Sequence, residues 1–237
     1  MHISSDLLLG LPLWFVAFIF STTCHEAAHA LAAKLGGDLT AYEGGQVSLD
    51  PTPHIKREPF GMVVVPLVSF LLNGGSFMLG WASTPIDPFW AQRHRKRAAM
   101  MSAAGPAANL TLALLAAGGI HLGISLGYFE QPHRVAFDHV VALAGQGSVL
   151  APRFLSVFFS LNLLLGFFNL LPVPPLDGNG VVQLFLDDRL GSRWSELWRG
   201  RGAAMMGLLF AWVVFGKLFG PIFLLAINLL YPGASYG

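Results

Sequence analysis

Hydrophobic residues run along this chain in long blocks separated by short polar stretches. The first block, residues 7–35, is long enough to cross about 30 Å of hydrocarbon as a helix. Pro12 falls in its early turns, where proline is tolerated, and Gly36-Gly37 is expected to end it. Residues 38–59 are polar and rich in turn formers. There, Gln46-Val47-Ser48-Leu49 beside Glu43-Gly44-Gly45 predicts a short β-hairpin. Residues 61–82 are apolar and about long enough to span, but Pro66 and Asn73-Gly74-Gly75 interrupt them. Both a kinked span and a re-entrant element fit. Residues 98–120 predict a span built from small residues, which suits close helix packing. Residues 153–171 predict another, stopped by Pro172, Pro174 and Pro175, which cannot continue a helix. The 121–152 stretch reads as a modest polar loop, with His133, Asp138 and His139 solvated. Residues 181–201 are amphipathic, with Trp194 and Trp198 placed to touch a membrane interface, and residues 203–230 form the last span.

Charge chooses between the two readings of 61–82. Arg93-His94-Arg95-Lys96-Arg97 is the densest basic run, and Lys34, Lys56 and Arg57 lie on the other side of the stretch. Positive loops face the cytoplasm, and a re-entrant element keeps both clusters there. The expected fold is therefore an all-α membrane protein of four transmembrane helices plus a cytoplasmic-side re-entrant and β-hairpin region, in one domain over 1–237. The N-terminus and the 121–152 loop are expected outside; 36–97 and 179–202 are expected inside.

Composition agrees. Hydrophobic residues make up 54% of the 237 and charged residues 11%, against about 25% charged in a soluble domain. A net charge of +1 gives no electrostatic case for nucleic acid as a partner. Cys24 is the only cysteine, so no intrachain disulfide forms, and it reads as a small core residue. The N-terminus lacks a positive signal-peptide region, so the first block is expected to be retained.

Chemistry enters with His25-Glu26-Ala27-Ala28-His29, inside the first block. On a helix, residues four apart share a face, so His25 and His29 can aim two imidazoles at one ion. Glu26 lies about 100° round from His25, within reach of a water on that ion. H-E-x-x-H is the zinc-protease signature, with Glu26 as general base. So short a motif also arises by chance on surface helices, where its residues are merely solvated. A membrane helix gives no such refuge, since ionisable residues there are costly and face a cavity or a partner. Asn109, in Gly105-Pro106-Ala107-Ala108-Asn109, is polar in an apolar helix; it reads either as an interhelical hydrogen bond or as a group near the site. Asp177 follows the proline break. It reads as a third ligand or as the cap of the next helix, and alone the cap is the stronger reading.

Together, His25 to His29, Gly105 to Asn109, and Asn169 to Gly178 (N-x-x-P-x-P-P-L-D-G) resemble the site-2 protease family of intramembrane zinc metalloproteases. Gly80-Trp81-Ala82 through Pro85 and Pro88 is similar to the compact bacterial branch. The resemblance runs from about residue 7 to residue 186. It implies that His25, His29 and Asp177 hold one Zn2+ per chain and that Glu26 activates water. It implies a role for Asn169 and Asn109 in binding substrate or intermediate. It further implies a multi-pass protein of a bacterial cell membrane, cutting transmembrane protein substrates within the lipid bilayer from an active site towards the cytoplasm. Neither an inserted PDZ-like domain nor a nucleotide-sensing domain is expected. The competing classes are a non-hydrolytic zinc-binding membrane protein (a transporter or a degenerate adaptor) and a structural bundle whose His and Asp residues pair.

Overall fold

The computed structural model describes residues 5–200 and 202–236, with side chains from residue 10 onward. Helix α1 (Ser5–Gly36) is 32 residues long, about 48 Å at 1.5 Å per residue. It ends as the paired glycines require. Gly37 takes φ +97°, its N–H donates to the Lys34 carbonyl at 3.1 Å, and the Asp38 N–H reaches back to Ala33 at 2.9 Å. This pair of bonds is the Schellman stop. The Trp90 indole N–H and the Arg97 guanidinium both donate to the Gly36 carbonyl at 3.1 Å, which caps the exposed end.

Residues 38–59 contain no strand, and the expected β-hairpin is corrected to two short helices, α2 (Thr40–Glu43) and α3 (Thr52–Arg57). Local side-chain chemistry decides this. Asp38 accepts from the Thr40 N–H at 2.9 Å, and Asp50 accepts from the Thr52 N–H at 2.9 Å. Each bond starts a turn of helix in place of a ladder. Pro51 and Pro53 have no N–H to give a sheet. His54, almost wholly buried, holds the Ser48 carbonyl at 3.1 Å and draws the 46–50 loop onto α3. Burial opposes the charge on Asp38. Hydrogen bonds from the Thr40 hydroxyl and N–H and from the Asp87 N–H outweigh that and hold its carboxyl below the usual carboxylate range.

Residues 60–82 double back. A π-helical turn (Phe60–Val64) leads into α4 (Val65–Leu72). The chain turns through 73–76 and returns as an extended arm over 77–87. The Trp81 N–H donates to the Gly61 carbonyl at 3.0 Å, so the two ends of the stretch lie side by side. The short α5 (Pro88–Arg93) follows, N-capped by the Asp87 carboxylate.

Three helices among the described residues are long and apolar enough to cross a membrane: α6 (Arg95–Ser125), α7 (Leu150–Asn169) and α10 (Ala203–Leu230). α1, α6 and α7 pack against one another, and α10 lies along α7. Trp14 and Phe18 of α1, Ala113, Ala116 and Ile120 of α6, and Val157 and Leu161 of α7 share one buried core. The alanines let the backbones come close. Large apolar side chains also cover the outside, among them Leu114, Leu115, Leu209, Phe210, Trp212 and Leu229. So wide an apolar surface is tolerable in lipid and not in water.

The loop between α6 and α7 carries the two-stranded sheet: β1 (Phe129–Glu130) pairs antiparallel with β2 (Ala142–Leu143). Two side chains hold it down. Ser156 accepts from the N–H groups of Val140 and Val141, and Tyr231 donates to the Val140 carbonyl at 2.9 Å. Asp138 pairs with Arg153 at 3.2 Å. Past the proline break come α8 (Gly178–Val181), a 3-10 turn (Val182–Leu184) and α9 (Asp188–Leu197).

Candidate metal centre

Helical periodicity alone sets His25 over His29. Their rings meet edge to face, with centroids 4.6 Å apart and Nε2 atoms 3.0 Å apart. Both residues and Glu26 between them are buried, at 5–7% exposure. Asp177 arrives from 148 positions beyond His29. It occupies the N-terminal cap position of α8, yet its side chain makes no cap bond. Instead Oδ2 lies 3.0 Å from His25 Nε2 and Oδ1 lies 3.2 Å from His29 Nε2. The cap reading of Asp177 therefore fails, and the residue turns to the imidazoles.

The other ring nitrogens fix the tautomers. His29 Nδ1 sits 2.7 Å from the Met101 carbonyl, which can only accept, so Nδ1 carries the proton. His25 Nδ1 sits 2.5 Å from the Asn109 amide oxygen and donates to it. Each Nε2 then points its lone pair inward. Two lone pairs and a carboxylate converge on one spot, an arrangement that only a cation or a shared proton makes favourable. One ligand atom from each of the three residues can be chosen so that all lie within 4.8 Å of one another. Tetrahedral zinc, with bonds of about 2.0–2.2 Å, separates its ligand atoms by about 3.4 Å. The observed 3.0, 3.0 and 3.2 Å are close to that spacing, so the donor set fits zinc.

Behind His25 lies a buried polar relay. The Asn109 amide N–H donates to Asn162 Oδ1 at 2.8 Å, and Asn162 donates to Ser21 Oγ at 2.8 Å and to the Phe158 carbonyl at 2.9 Å. Ser21, Asn109 and Asn162 have no exposed surface, and they join α1, α6 and α7. Asn109 thus serves both of its sequence readings, interhelical bond and support of the site. Gly105 closes the centre from α6. A Cβ built there would overlap Nε2 of both His25 and His29, so only glycine fits against the two imidazoles.

Glu26 stands beside this cluster. Its carboxylate accepts from the Thr84 hydroxyl at 2.7 Å, across from the extended arm. Asn169 is not drawn in: its amide N–H donates to the Leu165 carbonyl at 3.0 Å, within its own helix. Sequence reasoning gave no site role to Asn162, Ser21 or Thr84, and carried Gly105 only as the first residue of the Gly105-to-Asn109 motif. Asn162 gave a signal as a further amide in an apolar span.

Residues 13–214 match the family model described as Peptidase family M50. Among curated relatives, "Putative zinc metalloprotease YwhC" of Bacillus subtilis is 32% identical over 174 residues, covering 73% of this chain and 68% of its own. The proteins named Rip2 in Mycolicibacterium smegmatis and Mycobacterium tuberculosis carry the same description and are each 28% identical. They match over 72% and 70% of this chain and 56% and 54% of their own length, so the chain spans about half of each. No solved structure matches.

Proposed function

This chain belongs to peptidase family M50, and from that premise we propose that it is an intramembrane zinc endopeptidase that cuts the transmembrane segments of other membrane proteins. One observation carries the reading: two buried imidazoles and a partly buried carboxylate converge on one point, with a further carboxylate, Glu26, next to them. His25, His29 and Asp177 would hold one zinc per chain. Bound there, zinc supplies Lewis-acid activation of water and of a peptide carbonyl.

Glu26 takes a proton from the attacking water as its oxygen bonds to the scissile carbonyl carbon. The C–N bond then breaks, and Glu26 returns that proton to the departing nitrogen. Asn109 holds His25 in the tautomer that keeps Nε2 free. Asn169 is assigned to the substrate side; to act there its amide must release the Leu165 carbonyl. A substrate helix has its amides bonded internally, so it must unwind locally, and helix-breaking residues should mark good substrates.

In membrane terms α1, α6, α7 and α10 are the four spans, and the doubled-back 60–82 stretch is re-entrant. The adjacency of Gly61 and Trp81 supports this, because a crossing would separate them by the bilayer. His29 is seven residues from the end of α1, about 10 Å along the axis, at the end where Lys34 and the Arg93–Arg97 run collect. The positive-inside rule makes that end cytoplasmic.

Purified protein is expected to contain one zinc per chain. It should cut a single-span helix carrying Asn-Pro in its cytoplasmic third, lose that activity to 1,10-phenanthroline, and regain it with added zinc. Stoichiometric iron or calcium in place of zinc, or cleavage indifferent to the chelator, would overturn the reading. Asn109→Ala is expected to weaken zinc about 10–100-fold in a competition assay against a chelator, the usual consequence of losing a histidine's outer partner. An unchanged affinity would reduce Asn109 to a packing role.

A further inference from the structure

A carboxylate taken out of water needs hydrogen-bond donors, and Glu26 is only 6% exposed. Among the described residues, no cation pairs with it and one side chain donates to it. That side chain is Thr84, whose Oγ1 lies 2.7 Å from Glu26 Oε2 and 3.0 Å from the Glu26 carbonyl oxygen. The two residues are 58 positions apart, on α1 and on the extended arm.

The arm is anchored on both sides of Thr84. Before it, the Trp81 N–H holds the Gly61 carbonyl at 3.0 Å. Ser83 donates to the Glu58 carboxylate at 2.6 Å, and its carbonyl accepts from the Arg57 guanidinium at 3.1 Å. After it, the Asp87 N–H donates to the Asp38 carboxylate at 2.8 Å. Thr84 therefore stands at a fixed place while Glu26, with three rotatable side-chain bonds, does not fix itself.

We propose that Thr84 is the positioning residue for Glu26: its hydroxyl pins the carboxylate in the place from which it takes the water proton. This rests on the peptidase reading given above. Thr84 is not among the residues that converge on the candidate ion position, and its hydroxyl bonds only to Glu26 among the described residues. The contribution is one of orientation. A displacement of about 1 Å at a reacting group costs on the order of 100-fold in rate, and a freed Glu26 carboxylate moves by at least that much between rotamers.

The test compares three full-length proteins in lipid vesicles on the Asn-Pro single-span helix: wild type, Thr84→Val and Thr84→Ser. Valine keeps the shape and loses the hydroxyl; serine keeps the hydroxyl and loses the methyl. Thr84→Val is expected to lower kcat about tenfold to 100-fold, with KM within about twofold and zinc content unchanged. Thr84→Ser is expected to restore most of kcat. Amide exchange in the arm, in α1 and in α6 is expected to stay as in the wild type, because the anchors on either side of Thr84 do not use its hydroxyl.

A Thr84→Val protein as active as wild type, or more active, overturns the proposal. So does a Thr84→Ser protein as impaired as Thr84→Val, or a loss that follows zinc or KM. Failure of the underlying reading looks different, because the wild type itself would then cut nothing and respond to no chelator.

Discussion

Glu26→Gln is expected to lower cleavage by about 10²–10⁴-fold, the usual worth of a general base, while the protein keeps its zinc. The reasoning separates two jobs that the H-E-x-x-H pattern runs together. His25 and His29 face Asp177 at 3.0 and 3.2 Å, whereas Glu26 turns to Thr84. Glutamine has nearly the same shape, and its amide oxygen can still accept the Thr84 hydroxyl, so packing and arm stay in place. What it cannot do is take a proton from water. Metal analysis and cleavage of a single-span helix, run on the same preparation, decide the matter. Zinc lost together with activity would make Glu26 a ligand. Full activity with zinc present would remove it from the chemistry altogether. A zinc-transporting protein has no use for that carboxylate, so zinc flux indifferent to Glu26→Gln would point to transport instead.

The parts of this site that were legible in the sequence are those that one helix period fixes. His25, Glu26 and His29 needed only 3.6 residues per turn. Asp177 was half legible. The prolines announced a break, but a carboxylate after a break suits a cap as well as a ligand, and only the missing cap bond together with the two imidazole distances separates them. Asn109 was visible as an amide in lipid. Its partners were not, because His25 lies 84 and Asn162 lies 53 positions away. Thr84 gave no signal, since a threonine in an irregular stretch is ordinary. The β-hairpin failed because a four-residue alternation is weak beside Asp38 and Asp50, each of which turns the backbone locally within two residues. The strands form instead at Phe129 and Ala142, inside a loop with no clear period. The re-entrant reading of 61–82 came from charge placement; what the fold shows there is a chain that doubles back, with the Trp81 N–H bonded to the Gly61 carbonyl.

Gly105→Ala is expected to produce the opposite signature from Glu26→Gln: zinc lost, helix kept. On propensity alone the change favours α6, because alanine in a helix interior gains roughly 0.5–1 kcal/mol over glycine. The methyl group has nowhere to go, however. It would overlap Nε2 of both His25 and His29, the atoms whose lone pairs would face the ion. Neither ring can retreat, since Asn109 and the Met101 carbonyl hold them from behind. Overpacking of this kind costs about 1–3 kcal/mol, which the helix gain offsets only in part. The protein should therefore fold with a modest loss of stability while its zinc falls far below one per chain and cleavage falls with it. Gly105→Ala protein with full zinc and full activity would mean that α6 stands farther from the imidazoles than described, and the donor geometry would have to be redrawn. Loss of zinc in Gly105→Ala beside retention in Glu26→Gln would show that space for the ion and the proton-transferring group are supplied by different helices, α6 for the first and α1 for the second.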